Sequence, residues 1–146
     1  MTGSKKILIV EDYTDIATIY SFMLKKNGYE VAVAKNGKEA LEQTLKFQPD
    51  VILLDIMIPD IDGLKVLKTI RTAPEYAKIQ PLILVTTNVM QQDISDQASL
   101  YGADGYVLKA RLGNQELVEI VEELIAKGRG SSDTETQTVP QSYTEQ

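Results

Sequence analysis

Apolar residues gather into five short runs, each followed by a longer stretch with helical spacing. Ile7-Leu8-Ile9-Val10 reads as a strand that stops on Glu11-Asp12. Ile16, Ile19, Tyr20, Met23 and Leu24 then line one face of a helix. Thr14 or Asp15 is placed to cap that helix, and Asn27-Gly28 to end it. A second strand covers Tyr29 to Ala34, Asn36-Gly37 makes a turn, and a helix from Lys38 to Phe47 is expected to bury Ala40, Leu41 and Leu45 before Pro49. Val51-Ile52-Leu53-Leu54 is apolar throughout, as expected for a strand covered on both faces, and it ends on Asp55. Pro59 and Gly63 force a loop, and Leu64, Leu67 and Ile70 point a helix inward as far as Arg71. Pro74 and Pro81 mark the connection to a fourth strand, Leu82 to Val85, which ends on Thr86-Thr87-Asn88. A polar helix is predicted over Gln91 to Tyr101. Tyr106-Val107-Leu108-Lys109 is the fifth strand, and Asn114 is placed to cap a last helix carrying Leu117, Val118, Val121, Leu124 and Ile125.

This alternation predicts an α/β fold, a parallel sheet with helices on both faces, as one domain over residues 5–127. Residues 128–146 are rich in Ser, Thr, Gln and Glu and carry few large apolar groups, so a flexible polar tail is expected. No run approaches the roughly 20 apolar residues needed to span a bilayer, so no membrane insertion is expected.

Composition narrows the chemistry. The chain lacks Cys and His, which removes disulfides, thiolate sites, the commonest general base and the usual zinc ligand. The lack of Cys fits a cytoplasmic protein. A net charge of −6 argues against direct nucleic-acid binding by the surface. What remains is carboxylates, hydroxyls, lysine and backbone.

Those groups sit at the strand ends: Glu11 and Asp12, then Asp55, then Thr86 and Thr87, then Lys109. In a parallel sheet the carboxyl ends of the strands share one edge, where ligands bind. Three carboxylates together repel each other, and a divalent cation or the Lys109 ammonium would offset that charge. An oxygen-only set points to Mg²⁺ or a similar hard ion. A carboxylate beside such an ion, a lysine and a hydroxyl is a plausible phosphoryl acceptor. Asp60 and Asp62 read instead as a cap or as solvated loop acids.

On these residues the chain resembles a receiver domain of two-component response regulators, of the stand-alone chemotaxis-regulator type. The matching features are the acidic pair Glu11-Asp12, the segment Asp55 to Gly63 with Met57, Pro59 and Asp62 in step, Thr86, Tyr106 and Lys109. The resemblance implies a flavodoxin-like doubly wound (βα)5 fold with strand order 2-1-3-4-5. It also implies a phosphorelay switch with no turnover on a separate substrate. Asp55 would accept a phosphoryl group from a sensor histidine kinase or histidine phosphotransfer protein. Asp12, Asp55 and the Met57 carbonyl would hold Mg²⁺, with Glu11 helping through water. Thr86 and Lys109 would hold the phosphoryl oxygens. Thr86 and Tyr106 would shift together and alter the surface of the fourth helix, fifth strand and fifth helix, which would regulate a downstream protein or form a homodimer.

Two positions depart from the family pattern. Ala110 follows Lys109 where most receivers have a cis proline. A cis bond before any other residue costs about 2.5–4 kcal/mol, so a trans bond and an unusual path for the next loop are expected. Thr87 stands where Ala or Gly is frequent, and its bulk is expected to lengthen the life of a phosphorylated state. The tail resembles neither a stiff linker nor a signalling helix, which favours a stand-alone receiver over a piece of a longer regulator.

Three rival readings compete. A haloacid-dehalogenase-type phosphatase would use Asp60-Ile61-Asp62-Gly63, but its first Asp belongs at a strand end. A flavin site would want hydroxyls and glycines after the first strand, where Glu11 to Asp15 is acidic. A receiver fold used only for docking, without phosphorylation, would not require the full set of acids, Thr86 and Lys109.

Overall fold

The computed structural model describes residues 4–113 and 115–128. Five strands form one parallel sheet in the order β2-β1-β3-β4-β5: β1 is Lys6–Val10, β2 Glu30–Ala34, β3 Val51–Asp55, β4 Leu82–Thr87 and β5 Gly105–Leu108. Between and after them run α1 Thr14–Lys26, α2 Gly37–Phe47, α3 Gly63–Thr72, α4 Gln92–Leu100 and α5 Gln115–Lys127. This is the doubly wound flavodoxin-like arrangement. The expected flexible tail and the proposed Asn114 cap lie outside the described residues.

Two cores sandwich the sheet. Ile7, Ile9, Leu53, Leu84 and Val107 pack on one face against α1 and α5, through Leu24, Leu117 and Val121. Leu8, Val10, Ile52, Leu54 and Val85 pack on the other against Ala40, Val66, Leu67, Ile70 and Ala98. Alternate residues of a strand point to opposite faces, so a strand covered twice is apolar along nearly its whole length. That is why Val51 to Leu54 are all buried. The buried run continues into Asp55, which pairs in register with Thr86.

The helices hold several corrections. Leu45 is exposed rather than buried, and Thr44 takes the inward position with its hydroxyl donating to the Ala40 carbonyl at 2.7 Å. The inward face of α2 runs through Gly37, Ala40 and Thr44, one position before Leu45. Ile19 is likewise exposed, because α1 turns Ala17, Tyr20 and Leu24 inward. Neither Thr14 nor Asp15 caps α1; both are already helical. The Tyr13 N–H donates to Glu11 Oε2 at 3.2 Å, which starts the turn earlier than a Thr14 cap would. Asn27 and Gly28 end α1 as expected, with Gly28 at φ 95° and the Tyr29 N–H reaching back to the Leu24 carbonyl. The connection after α3 contains a 3-10 turn, Pro74–Tyr76.

Candidate functional site

The carboxyl ends of β1, β3, β4 and β5 bring the sequence-predicted groups together. Glu11, one residue past β1, and Asp55, the last of β3, are buried at 1% and 2% exposure, whereas Asp12 faces solvent. Carboxylate oxygens of Glu11, Asp12 and Asp55 lie within 4.8 Å of one another. Thr86 is buried beside Asp55 on β4, and its carbonyl accepts the Ile56 N–H at 3.0 Å. The Met57 N–H donates to Asp55 Oδ1 at 2.9 Å, so the Met57 backbone nitrogen lies against the Asp55 carboxylate while the Met57 side chain is exposed.

Lys109 closes this cluster. Its Nζ lies 2.7 Å from Asp55 Oδ2 and 2.8 Å from Glu11 Oε1, bridging the two buried acids. Burial alone would lower the Lys109 value, but the hydrogen bonds to Asp55 and Glu11 outweigh it and the net direction is up. Burial pushes the Glu11 carboxyl above its ordinary value, against the pull of Lys109 and the Tyr13 N–H. Tyr20 is raised to about 12, first by burial and then by the Glu11 charge. Among the described residues no peptide bond is cis, so the 109–110 bond is trans as expected. The residues after β5 form a 3-10 turn, Lys109–Arg111, with Leu112 buried behind it, and Lys109 reaches both acids from there.

Tyr106, on β5, is buried at 3% exposure and packs on the α2–α4 side of the sheet. Among the described residues its hydroxyl has no hydrogen-bond partner. The Gln91 backbone and Thr87 side chain act on it electrostatically, yet neither reaches hydrogen-bond geometry; burial dominates and raises its value. Thr87 is engaged elsewhere. Its hydroxyl donates to the Val89 carbonyl at 3.0 Å and accepts the Val89 N–H at 3.3 Å, which folds the loop after β4.

A model of the response regulator receiver domain family matches residues 7–122. This chain belongs to that family. Receiver domains are phosphoryl acceptors of two-component systems rather than turnover enzymes, they generally bind Mg²⁺ at an acidic pocket, and they interact with histidine kinases and downstream effectors. The Glu11, Asp12 and Asp55 oxygens of this receiver fit such an ion in ligand type and spacing. The chain is 36% identical over 106 residues to the alkaline phosphatase synthesis transcriptional regulatory protein PhoP of Bacillus subtilis, a match covering 73% of this chain and 42% of that protein. It thus spans well under half the length of that relative. Among solved structures it is similar to the chemotaxis response regulator CheY4 of Vibrio cholerae, with 28% identity, TM-score 0.72, and 82% of this chain and 98% of that one covered. It is also similar to the beryllofluoride-activated N-terminal receiver domain of Klebsiella pneumoniae RstA, with 28% identity, TM-score 0.69, and 82% and 95% covered.

Asp60 and Asp62, expected as a cap or as solvated loop acids, both cap helices. Asp62 is the N-cap of α3 and accepts the Lys65 N–H at 3.0 Å. Asp60 serves a different helix, α2, by accepting the N–H groups of Gly37 and Lys38. Its place in the loop after β3 gives no local signal of that role. The ion pair of Arg71 with Asp104 at 2.9 Å, both side chains 7% exposed, was equally invisible, because its halves are 33 residues apart. No helix among the described residues is long and apolar enough to cross a membrane.

Proposed function

We propose that this receiver is a phosphorylation-dependent switch with Asp55 as acceptor. The observation that carries the reading is the bridge from Lys109 to Asp55 and Glu11, set among three clustered acids. A strand-end lysine with no role in the site would have no reason to be buried there. An Asp55 carboxylate oxygen attacks the phosphorus of a phosphohistidine on a histidine kinase or phosphotransfer protein. The phosphorus–nitrogen bond breaks, and the imidazole nitrogen keeps the electron pair. Mg²⁺, when bound, supplies positive charge to the phosphoryl oxygens. Asp12, Asp55 and the Met57 carbonyl would hold it, with Glu11 contributing through water.

Lys109 already contacts Asp55 Oδ2, so it is in reach to exchange that oxygen for a phosphoryl oxygen. Thr86, paired in register with Asp55, offers its hydroxyl to another. Its shift would be matched by Tyr106, and the surface of α4, β5 and α5 would change for a downstream protein partner. This biases a two-state element by a local change of charge. The acidic surface supports a protein partner over nucleic acid.

The test is intact mass after incubation with acetyl phosphate and Mg²⁺, beside Asp55→Ala. One added phosphoryl group on the native chain, absent from the variant and from a reaction containing EDTA, is the expected result. No addition, together with no binding of beryllofluoride, would refute it and leave a docking module.

A further inference from the structure

The first turn of α2 presents three N–H groups that have no acceptor inside the helix. Asn36 is the local cap: its Oδ1 accepts the Glu39 N–H at 2.8 Å. The other two donors go to a residue far along the chain. Asp60 Oδ1 accepts from Gly37 at 2.8 Å, and Asp60 Oδ2 accepts from Lys38 at 3.2 Å. Asp60 therefore caps a helix to which it does not belong.

The backbone on both sides is shaped for that contact. Asp60 has φ 66°, in the left-handed region that Asp, Asn and Gly tolerate. Gly37 has no space for a side chain, since a Cβ there would lie 2.5 Å from the Ile61 carbonyl oxygen and 2.6 Å from Ile61 Cβ. The Gly37 N–H also lies 3.4 Å from the Pro59 carbonyl. The base of the same loop is fastened separately. Ile56 donates to the Thr86 carbonyl and Gly63 to the Ile56 carbonyl, each at 3.0 Å. The loop from Asp55 to Asp62 is thus tied to the sheet at its base and to α2 at its tip, with the Met57 peptide between.

We propose that Asp60 is a positioning residue for cation binding. By bridging the tip of the acceptor loop to the first turn of α2, it holds the Met57 peptide ready beside Asp55. The inference rests on the reading above, in which the Met57 carbonyl and Asp55 hold Mg²⁺. Without the tip contact the loop must be ordered when the ion binds, and that entropy then subtracts from affinity. With it, the ordering is complete on folding. Groups that orient a metal ligand from outside the coordination sphere typically change metal affinity by roughly 10- to 100-fold when removed.

Asp60→Gly and Asp60→Asn separate this role from plain helix capping. Both replacements tolerate the left-handed backbone; Gly removes both acceptors, and Asn retains one. Mg²⁺ affinity of the full chain is measured by calorimetric titration, and melting temperature in EDTA. Asp60→Gly is expected to weaken Mg²⁺ binding by roughly 10-fold and Asp60→Asn by less. Phosphorylation by acetyl phosphate should slow at limiting Mg²⁺ and recover at saturating Mg²⁺. Unchanged Mg²⁺ affinity in both variants, with any fall in melting temperature, would make Asp60 a helix cap alone and overturn the proposal. A native chain that binds no Mg²⁺ would instead overturn the reading beneath it, and the proposal with it.

Discussion

Replacing Lys109 with Met keeps the length and most of the volume of the side chain but removes the charge between two buried acids. In the native site Nζ lies 2.7 Å from Asp55 and 2.8 Å from Glu11, and the lysine side chain is only 8% exposed. Breaking a buried pair from one side typically costs about 3–5 kcal/mol, because the partner charge stays buried and uncompensated. The site has one escape, which is to take up a proton. Glu11 is the group expected to take it, since burial already raises its value above the ordinary 4.5. Protonating a carboxyl of that ordinary value costs at most about 3.4 kcal/mol at pH 7 and about 0.7 kcal/mol at pH 5. The predicted loss of stability is therefore about 3 kcal/mol at pH 7, shrinking below about 1 kcal/mol at pH 5.

The sign follows from linkage. A carboxyl raised on folding contributes its stability at low pH and loses it as pH rises through the raised value. Lys109 itself is raised above 10.5, so its own contribution is full across pH 5–7 and is lost only in the alkaline range. The difference between variant and native chain in that window thus belongs to the carboxyl. Urea unfolding in EDTA at pH 5, 6 and 7 measures it. A Lys109→Met chain as stable as the native one at pH 7, or a deficit that stays constant from pH 5 to 7, would refute the reasoning.

Two further substitutions test the packing around the site. Arg71→Ala removes the guanidinium that pairs with Asp104 and also donates to the Gly102 carbonyl at 3.0 Å; a loss of about 3 kcal/mol is expected by urea unfolding, with Arg71→Lys recovering only part because the forked geometry is gone. Tyr106→Phe deletes a buried hydroxyl that has no partner among the described residues; thermal unfolding should show a chain at least as stable as the native one and up to about 2 kcal/mol more so, whereas a loss of about 1 kcal/mol or more would mean that the hydroxyl is satisfied.

The alternation of apolar runs with helical stretches determined the fold class, because a strand covered on both faces reads as a near-continuous apolar run, with polar residues confined to its end. Val51 to Leu54 carries that signature, and the apolar run stops at Asp55. Glu11, Asp55, Thr86 and Lys109 were legible as a set for the same reason: parallel strands deliver their ends to one edge. Local pattern went wrong where an apolar residue sat one position off the inward face of a helix, as with Leu45 beside the buried Thr44 in α2, since tertiary packing chooses the face.

Tertiary structure alone decided the pairings across distance. Nothing near Asp60 says that its carboxylate will finish the first turn of α2, and nothing near Arg71 names Asp104. The Lys109 bridge to two acids at once is of the same kind. A sequence records which groups an edge will hold; how far apart they sit, and which charges end up buried together, depends on the helices and loops that pack around them.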